Sequence, residues 1–193
     1  MSALLPYLRG DRVGKVVGIT FDDGYQNNLD HAAPVLSRLG FGSTCYAVSD
    51  LLGATNRWDA SVGVPQVPLM DGAGLRRWCE AGQEIGSHTR FHSRLPGLDD
   101  AAARDEIRGA RSRLEAETGR PVLHFCYPYG EFEERHLEMV REAGYLTATT
   151  TIRGRYPVGG PLFSIPRVPI VRSGTLGHLW VKIATGYEDG KGQ

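Results

Sequence analysis

Short apolar, β-branched runs alternate along this chain with stretches of helical period, and that alternation limits the fold more than any other feature. The runs fall at 15–21, 43–48, 83–87, 122–126, 145–151 and 162–168. Parallel strands need a long crossover between them, usually a helix, so the pattern predicts parallel strands joined by helices. Between the runs, Leu29, Ala32, Ala33, Leu36 and Leu39 repeat at helical spacing and Gly40 follows as a C′ residue. A longer helix runs from an N-cap at Asp99 through Ala103, Ile107, Ala110 and Leu114 to Gly119, where Pro121 forbids continuation. Further helices are expected over 133–143, 71–81 and 175–185, and Trp78, Phe163 and Trp180 are assigned to the core. Two long connections, 51–70 and 153–161, interrupt the alternation; loops of that length in a compact domain are often functional.

With 193 residues, 41% of them hydrophobic, the chain can bury a sizeable core, and one domain over 1–193 with a short disordered tail at about 187–193 is expected. Twenty-two basic residues balance twenty-two acidic ones, so no long-range field points to nucleic acid or to an anionic membrane. Nowhere do enough apolar residues run together to span a membrane, and the apolar stretch before Pro6 and Arg9 is too short for a secretory signal. Cys45, Cys79 and Cys126 are an odd number without CxxC spacing, which speaks for a reducing compartment and a cytoplasmic location.

In parallel α/β architectures chemistry collects where strands end and lead into helices. Three such ends carry unusual polar residues. Asp22 and Asp23 follow the first run, His88 and His92 follow the third, and the Tyr127–Gly130 turn, YPYG, follows the fourth. Taken alone, the DDG at 22–24 reads equally as an Asx-type turn, and an HxxxH pair as a solvated helix face. Together they read as a metal site. Four-residue spacing brings two imidazoles to one side, one carboxylate completes a His-His-Asp set, and open coordination positions remain for water and substrate. Adjacent residues of an extended chain point to opposite sides, so the two aspartates can do different jobs.

These motifs, TFDDG at 20–24, SHTRFH at 87–92 and YPYG at 127–130, resemble those of the polysaccharide deacetylases of carbohydrate esterase family 4, the NodB-like domain. The resemblance runs from about residue 15 to 167. It implies an α/β fold, a distorted, incomplete (β/α) barrel of about six or seven parallel strands. It also implies a divalent metal, commonly Zn2+ with Co2+, Ni2+ or Mn2+ as substitutes, and hydrolytic N-deacetylation of an N-acetylhexosamine-containing glycan or its precursor. Carried over by residue, Asp23, His88 and His92 are the implied metal ligands, Asp22 the catalytic base, and Tyr129 the source of a backbone N–H for the oxyanion. Pro128 and Gly130 hold that turn, with Pro128 and Tyr129 also bordering the substrate.

The chain departs from the family pattern in two places. Relatives carry an arginine just before the third motif that orients the catalytic aspartate, and here that place is held by Cys126. Arg167, at the end of the last strand run, is the expected replacement, pairing with Asp22. The general acid is the second departure: the segment before TFDDG holds no histidine, while His31, His124, His136 and His178 read as structural or surface residues. Trp58 is open between stacking on a sugar ring and stapling its own loop, and Thr89 between positioning its loop and an exposed hydroxyl. Two other readings remain: an amidohydrolase of a small acylated metabolite, and a non-catalytic metal- or glycan-binding relative. Oligomeric state is not legible.

Overall fold

The structure, a computed structural model, describes residues 1–171 and 173–191. After a short helix α1 (Leu5–Arg9), strand β1 (Ile19–Phe21) leads through a π-helical turn at Asn28–Ala32 into α2 (Ala33–Leu39), and β2 (Ser43–Ala47) follows. Helix α3 (Gly72–Glu80), strand β3 (Glu84–Ser87), α4 (Asp100–Thr118), β4 (His124–Cys126), α5 (Glu134–Glu142), β5 (Thr147–Arg153), β6 (Ile165–Arg167) and α6 (Leu176–Ala184) complete the order. All strand pairs are parallel and the sheet runs β1-β2-β3-β4-β5-β6. The six strands curl into the incomplete (β/α) barrel expected from the alternation.

Helix starts follow the capping rules. The Asp99 carboxylate accepts from Ala102 N at 2.8 Å and the Asp71 carboxylate from Gly74 N at 2.7 Å, each satisfying an otherwise orphaned donor. That cap and the burial of Leu75 and Trp78 outweigh the poor propensity of Gly72 and Gly74 in α3. The main core between sheet and helices is a cluster in which Leu75, Trp78, Ile107, Leu114, Val122, Phe125 and Tyr127 are fully buried, and a smaller cluster of Val48, Leu51 and Leu69 lies under the 51–70 loop.

Four expectations need correction. Residues 15–18 are not part of β1: β2 begins at Ser43, opposite Ile19, so they have no strand to pair with, and Val17 is 61% exposed. Leu39 lies at the end of α2 and is exposed, as is Trp180, which with Leu176 and Ile183 forms an outward apolar face of α6. That helix is held instead by Lys182, whose ammonium donates to Pro169 O at 2.6 Å and pairs with Glu188 at 2.9 Å. The tail is anchored through the same residue, since buried Glu188 also accepts from Arg153 Nε at 2.7 Å; residues 192 and 193 of the expected tail lie outside the described residues. No described helix is long and apolar enough to cross a membrane.

Candidate active site

Strand direction decides where the polar residues gather. Because β1, β3, β4 and β6 are parallel, their C-terminal ends lie on one side of the sheet, and Asp22, Asp23, His88, His92, Tyr129 and Arg167 lie at or just after those ends. Asp23 Oδ1 stands 3.4 Å from His88 Nε2 and 3.4 Å from His92 Nε2. One ligand atom from each of the three residues falls within 4.8 Å of the others, a spacing that suits one small cation. Both imidazoles are buried.

Asp22 and Asp23 part company by a different route from the one expected. The chain is not extended there: Asp23 adopts a left-handed φ of 72° and Gly24 continues the turn at 78°. At Gly24 a side chain would also meet the Ala47 backbone at 3.3 Å, so the position needs glycine on two counts. Among the described residues, the non-glycine ones with positive φ are Asp23, Thr89, His92 and Tyr129. Each such residue costs of order 1 kcal/mol or more, and three of them, Asp23, His92 and Tyr129, lie together here. The histidines come together on an irregular loop after β3.

Electrostatics separates the two carboxylates. Arg167 donates from both terminal nitrogens to the two Asp22 oxygens at 2.7 Å each, and to Thr20 Oγ1 at 3.2 Å. Burial pushes the Asp22 carboxyl upward, but the charge and hydrogen bonds of Arg167 prevail and hold it below the ordinary value. Asp23 is likewise raised by burial and lowered further by hydrogen bonds and charge from His88 and His92. At His92 burial wins and its pKa is lowered, whereas at His88 burial is outweighed by the groups around it, the Asp23 and Asp22 carboxylates among them, and its pKa is raised well above the ordinary value.

The donor set fits a divalent metal. Cys126 O lies 2.8 Å from His88 Nδ1; an Nδ1–H donating there leaves Nε2, which faces Asp23, as the ring nitrogen turned toward a cation. A second cluster, Asp22 with His88 and Cys126, fits less well, because Arg167 occupies both Asp22 oxygens. Cys126 is fully buried with its sulfur 3.3 Å from Arg167 Nη2. Pro128 is buried in the turn it shapes. Tyr129 stands beside it with its ring centroid 4.6 Å from that of His92, and the Arg94 guanidinium lies over the outer ring at 3.8 Å. Trp58, on the 51–70 loop, stacks on His92.

The other histidines lie elsewhere. His124 Nδ1 faces Thr147 Oγ1 at 2.8 Å, His136 and His178 close the first turns of α5 and α6, and His31 is exposed. Thr89 is fully buried rather than exposed. Sequence reasoning missed Glu106. From α4 this buried carboxylate accepts from Arg90 N at 2.8 Å, Phe91 N at 3.1 Å and Ser93 Oγ at 2.8 Å, and so fixes the loop that carries His92. Its signal was a carboxylate within the apolar stripe Ala103, Ile107, Ala110 of α4. Tyr25 was missed as well; burial first and the Asp23 carboxylate next push its hydroxyl pKa up.

An incomplete (β/α) barrel bearing a pocket of two imidazoles and one carboxylate, with a second, arginine-held carboxylate beside it, defines a narrow class of proteins. The sequence profile of the polysaccharide deacetylases matches residues 9–148, and the chain belongs to that family. It is similar to YxkH of Bacillus subtilis (strain 168), at 25% identity over 156 residues, or 81% of this chain and 52% of that protein. The chain thus spans about half the length of that curated relative. Among solved structures, the Streptococcus pyogenes deacetylase PplD in complex with acetate superposes with a TM-score of 0.81 at 18% identity, covering 94% of this chain and 77% of that one. The polysaccharide deacetylase BC0361 from Bacillus cereus does so with a TM-score of 0.72 at 24% identity, covering 94% and 60%. These two likenesses are likenesses of fold.

Proposed function

We propose that the chain is a metal-dependent deacetylase that hydrolyses the N-acetyl group of an N-acetylhexosamine-containing glycan or glycan precursor. One observation carries the reading: Asp23 Oδ1 sits 3.4 Å from two imidazole Nε2 atoms while the neighbouring Asp22 is held apart by Arg167. Asp23, His88 and His92 would hold the cation, Zn2+ first among candidates. When bound, it supplies Lewis acidity toward water and toward the acyl carbonyl.

The remaining chemistry belongs to side chains of this chain. Asp22 takes the proton of the attacking water; each of its oxygens accepts one Arg167 N–H and keeps a lone pair free for that purpose. Arg167 fixes the plane of the carboxylate and keeps it ionised. Tyr129, set in a left-handed turn with φ of 59°, offers its backbone N–H to the oxygen on which negative charge develops. Asp22 then returns the proton to the leaving nitrogen, so that acetate and a free amine depart and the carboxylate is restored.

The test is acetate release. The protein loaded with Zn2+ is offered N-acetylglucosamine oligomers and, separately, small acylated amines, with Asp22→Asn as the control. Acetate from the oligomers that disappears with Asp22→Asn supports the reading; release from the small amines alone, or from no substrate, overturns it.

A further inference from the structure

Ligating histidines are almost always oriented by a hydrogen bond from the ring nitrogen that faces away from the metal. His88 follows that rule through Cys126 O at 2.8 Å. His92 does not: it is only 7% exposed, and its Nδ1 is buried without a hydrogen-bond partner. Ring contacts surround it instead. The Trp58 ring lies nearly parallel to His92, at 4.4 Å between centroids and 19° between planes, whereas Tyr129 and His88 meet it edgewise at 4.6 Å and 4.9 Å.

We propose that Trp58 is a positioning residue for His92, its indole face fixing the plane of an imidazole that has no hydrogen bond to fix it. This rests on the assignment of Asp23, His88 and His92 as the metal ligands. Turning the His92 ring out of its plane would break the stack, so Nε2 is kept pointing at Asp23 before any cation arrives. The loop is built to hold the indole there. Asn56 is fully buried, its amide accepting from Val67 N at 2.8 Å and donating to Pro65 O at 3.3 Å, while Gln66 Nε2 returns a bond to Asn56 O at 3.2 Å. These bonds tie the two arms of the loop together on either side of the segment carrying Trp58. The indole face turned to His92 is thereby closed to a sugar.

Zinc affinity, measured by competition with a chromophoric chelator, tests the proposal without reference to turnover. Trp58→Leu is expected to weaken binding about tenfold or more, the usual cost of losing an outer partner of a ligand. Trp58→Phe keeps a stacking face and should stay closer to the unaltered protein, and Trp180→Leu, which removes an exposed indole from α6, should change nothing. Wild-type affinity in Trp58→Leu overturns the proposal while leaving the ligand assignment standing. Failure of the unaltered protein to bind zinc overturns both. Should Trp58→Leu not fold, Asn56→Ala, which keeps the indole but frees its loop, must show the weakening, and unchanged affinity there overturns the proposal equally.

Discussion

Arg167 and Asp22, 145 residues apart in sequence, meet through two 2.7 Å hydrogen bonds across the seam between the last strand and the first. Both terminal nitrogens of the guanidinium are used, one on each carboxylate oxygen, a geometry that lysine cannot reproduce. Replacing Arg167 by Met should therefore lower kcat about a hundredfold, since a base displaced by an ångström loses roughly that factor, and Arg167→Lys should recover only part of it. Steady-state kinetics on the substrate that releases acetate, with zinc stoichiometry confirmed unchanged, checks this.

The same pair makes stability depend on pH. A carboxyl held below its ordinary value stabilises the fold at pH above that value, and the stabilisation is lost as pH falls through the depressed folded value. Urea unfolding of the metal-free protein at pH 7 and at pH 3 should show the unaltered chain losing more stability on acidification than Arg167→Met. Equal losses would mean that the ion pair contributes nothing.

Removal of the metal should abolish turnover and its return should restore it. Single substitutions His88→Ala and His92→Ala should each reduce bound zinc from one equivalent to none at micromolar protein, with activity falling at least about a hundredfold, because Lewis-acid stabilisation is worth several kcal/mol. Elemental analysis after dialysis reads the first quantity and acetate release the second.

Glu106→Ala should act at a distance. It strips three donors of their acceptor, and loss of hydrogen bonds to a buried carboxylate costs about 2–3 kcal/mol, or a fall in Tm of roughly 5–10 °C for a chain of this size. Zinc affinity should fall as well, since the freed loop carries His92. Calorimetry and chelator competition measure the two effects.

Gly130→Ala should destabilise more than an ordinary surface change. Its φ is 73° and an added Cβ would stand 2.6 Å from Thr151 N, so β5 or the Tyr129 turn must move; a cost of about 1–3 kcal/mol follows. Denaturant unfolding gives the number.

The parts of this molecule legible in its sequence are those governed by local rules. The cap at Asp99, the apolar stripe of α4 and the punctuation after each strand can all be read from spacing alone, and they place the polar motifs at strand ends. What eluded the sequence depends on partners distant along the chain. Residues 15–18 have the composition of a strand but meet no neighbour, and Trp180 has the character of a core residue on a helix whose apolar face turns outward. Glu106 resembles any helical carboxylate until the loop at 90–93 folds onto it. The left-handed turn at Asp23 was hidden for a related reason: aspartate tolerates that conformation, but only the close approach of Ala47 to Gly24 shows why the chain turns there.

The order in which the barrel is written along the chain has a consequence for its birth. Asp23, His88 and His92 have all left the ribosome long before residue 167, so a nascent chain can bring these three side chains together while Asp22 still lacks its guanidinium. The pairing of Asp22 with Arg167 then waits on the last strand, so the two carboxylates acquire their different surroundings at different times.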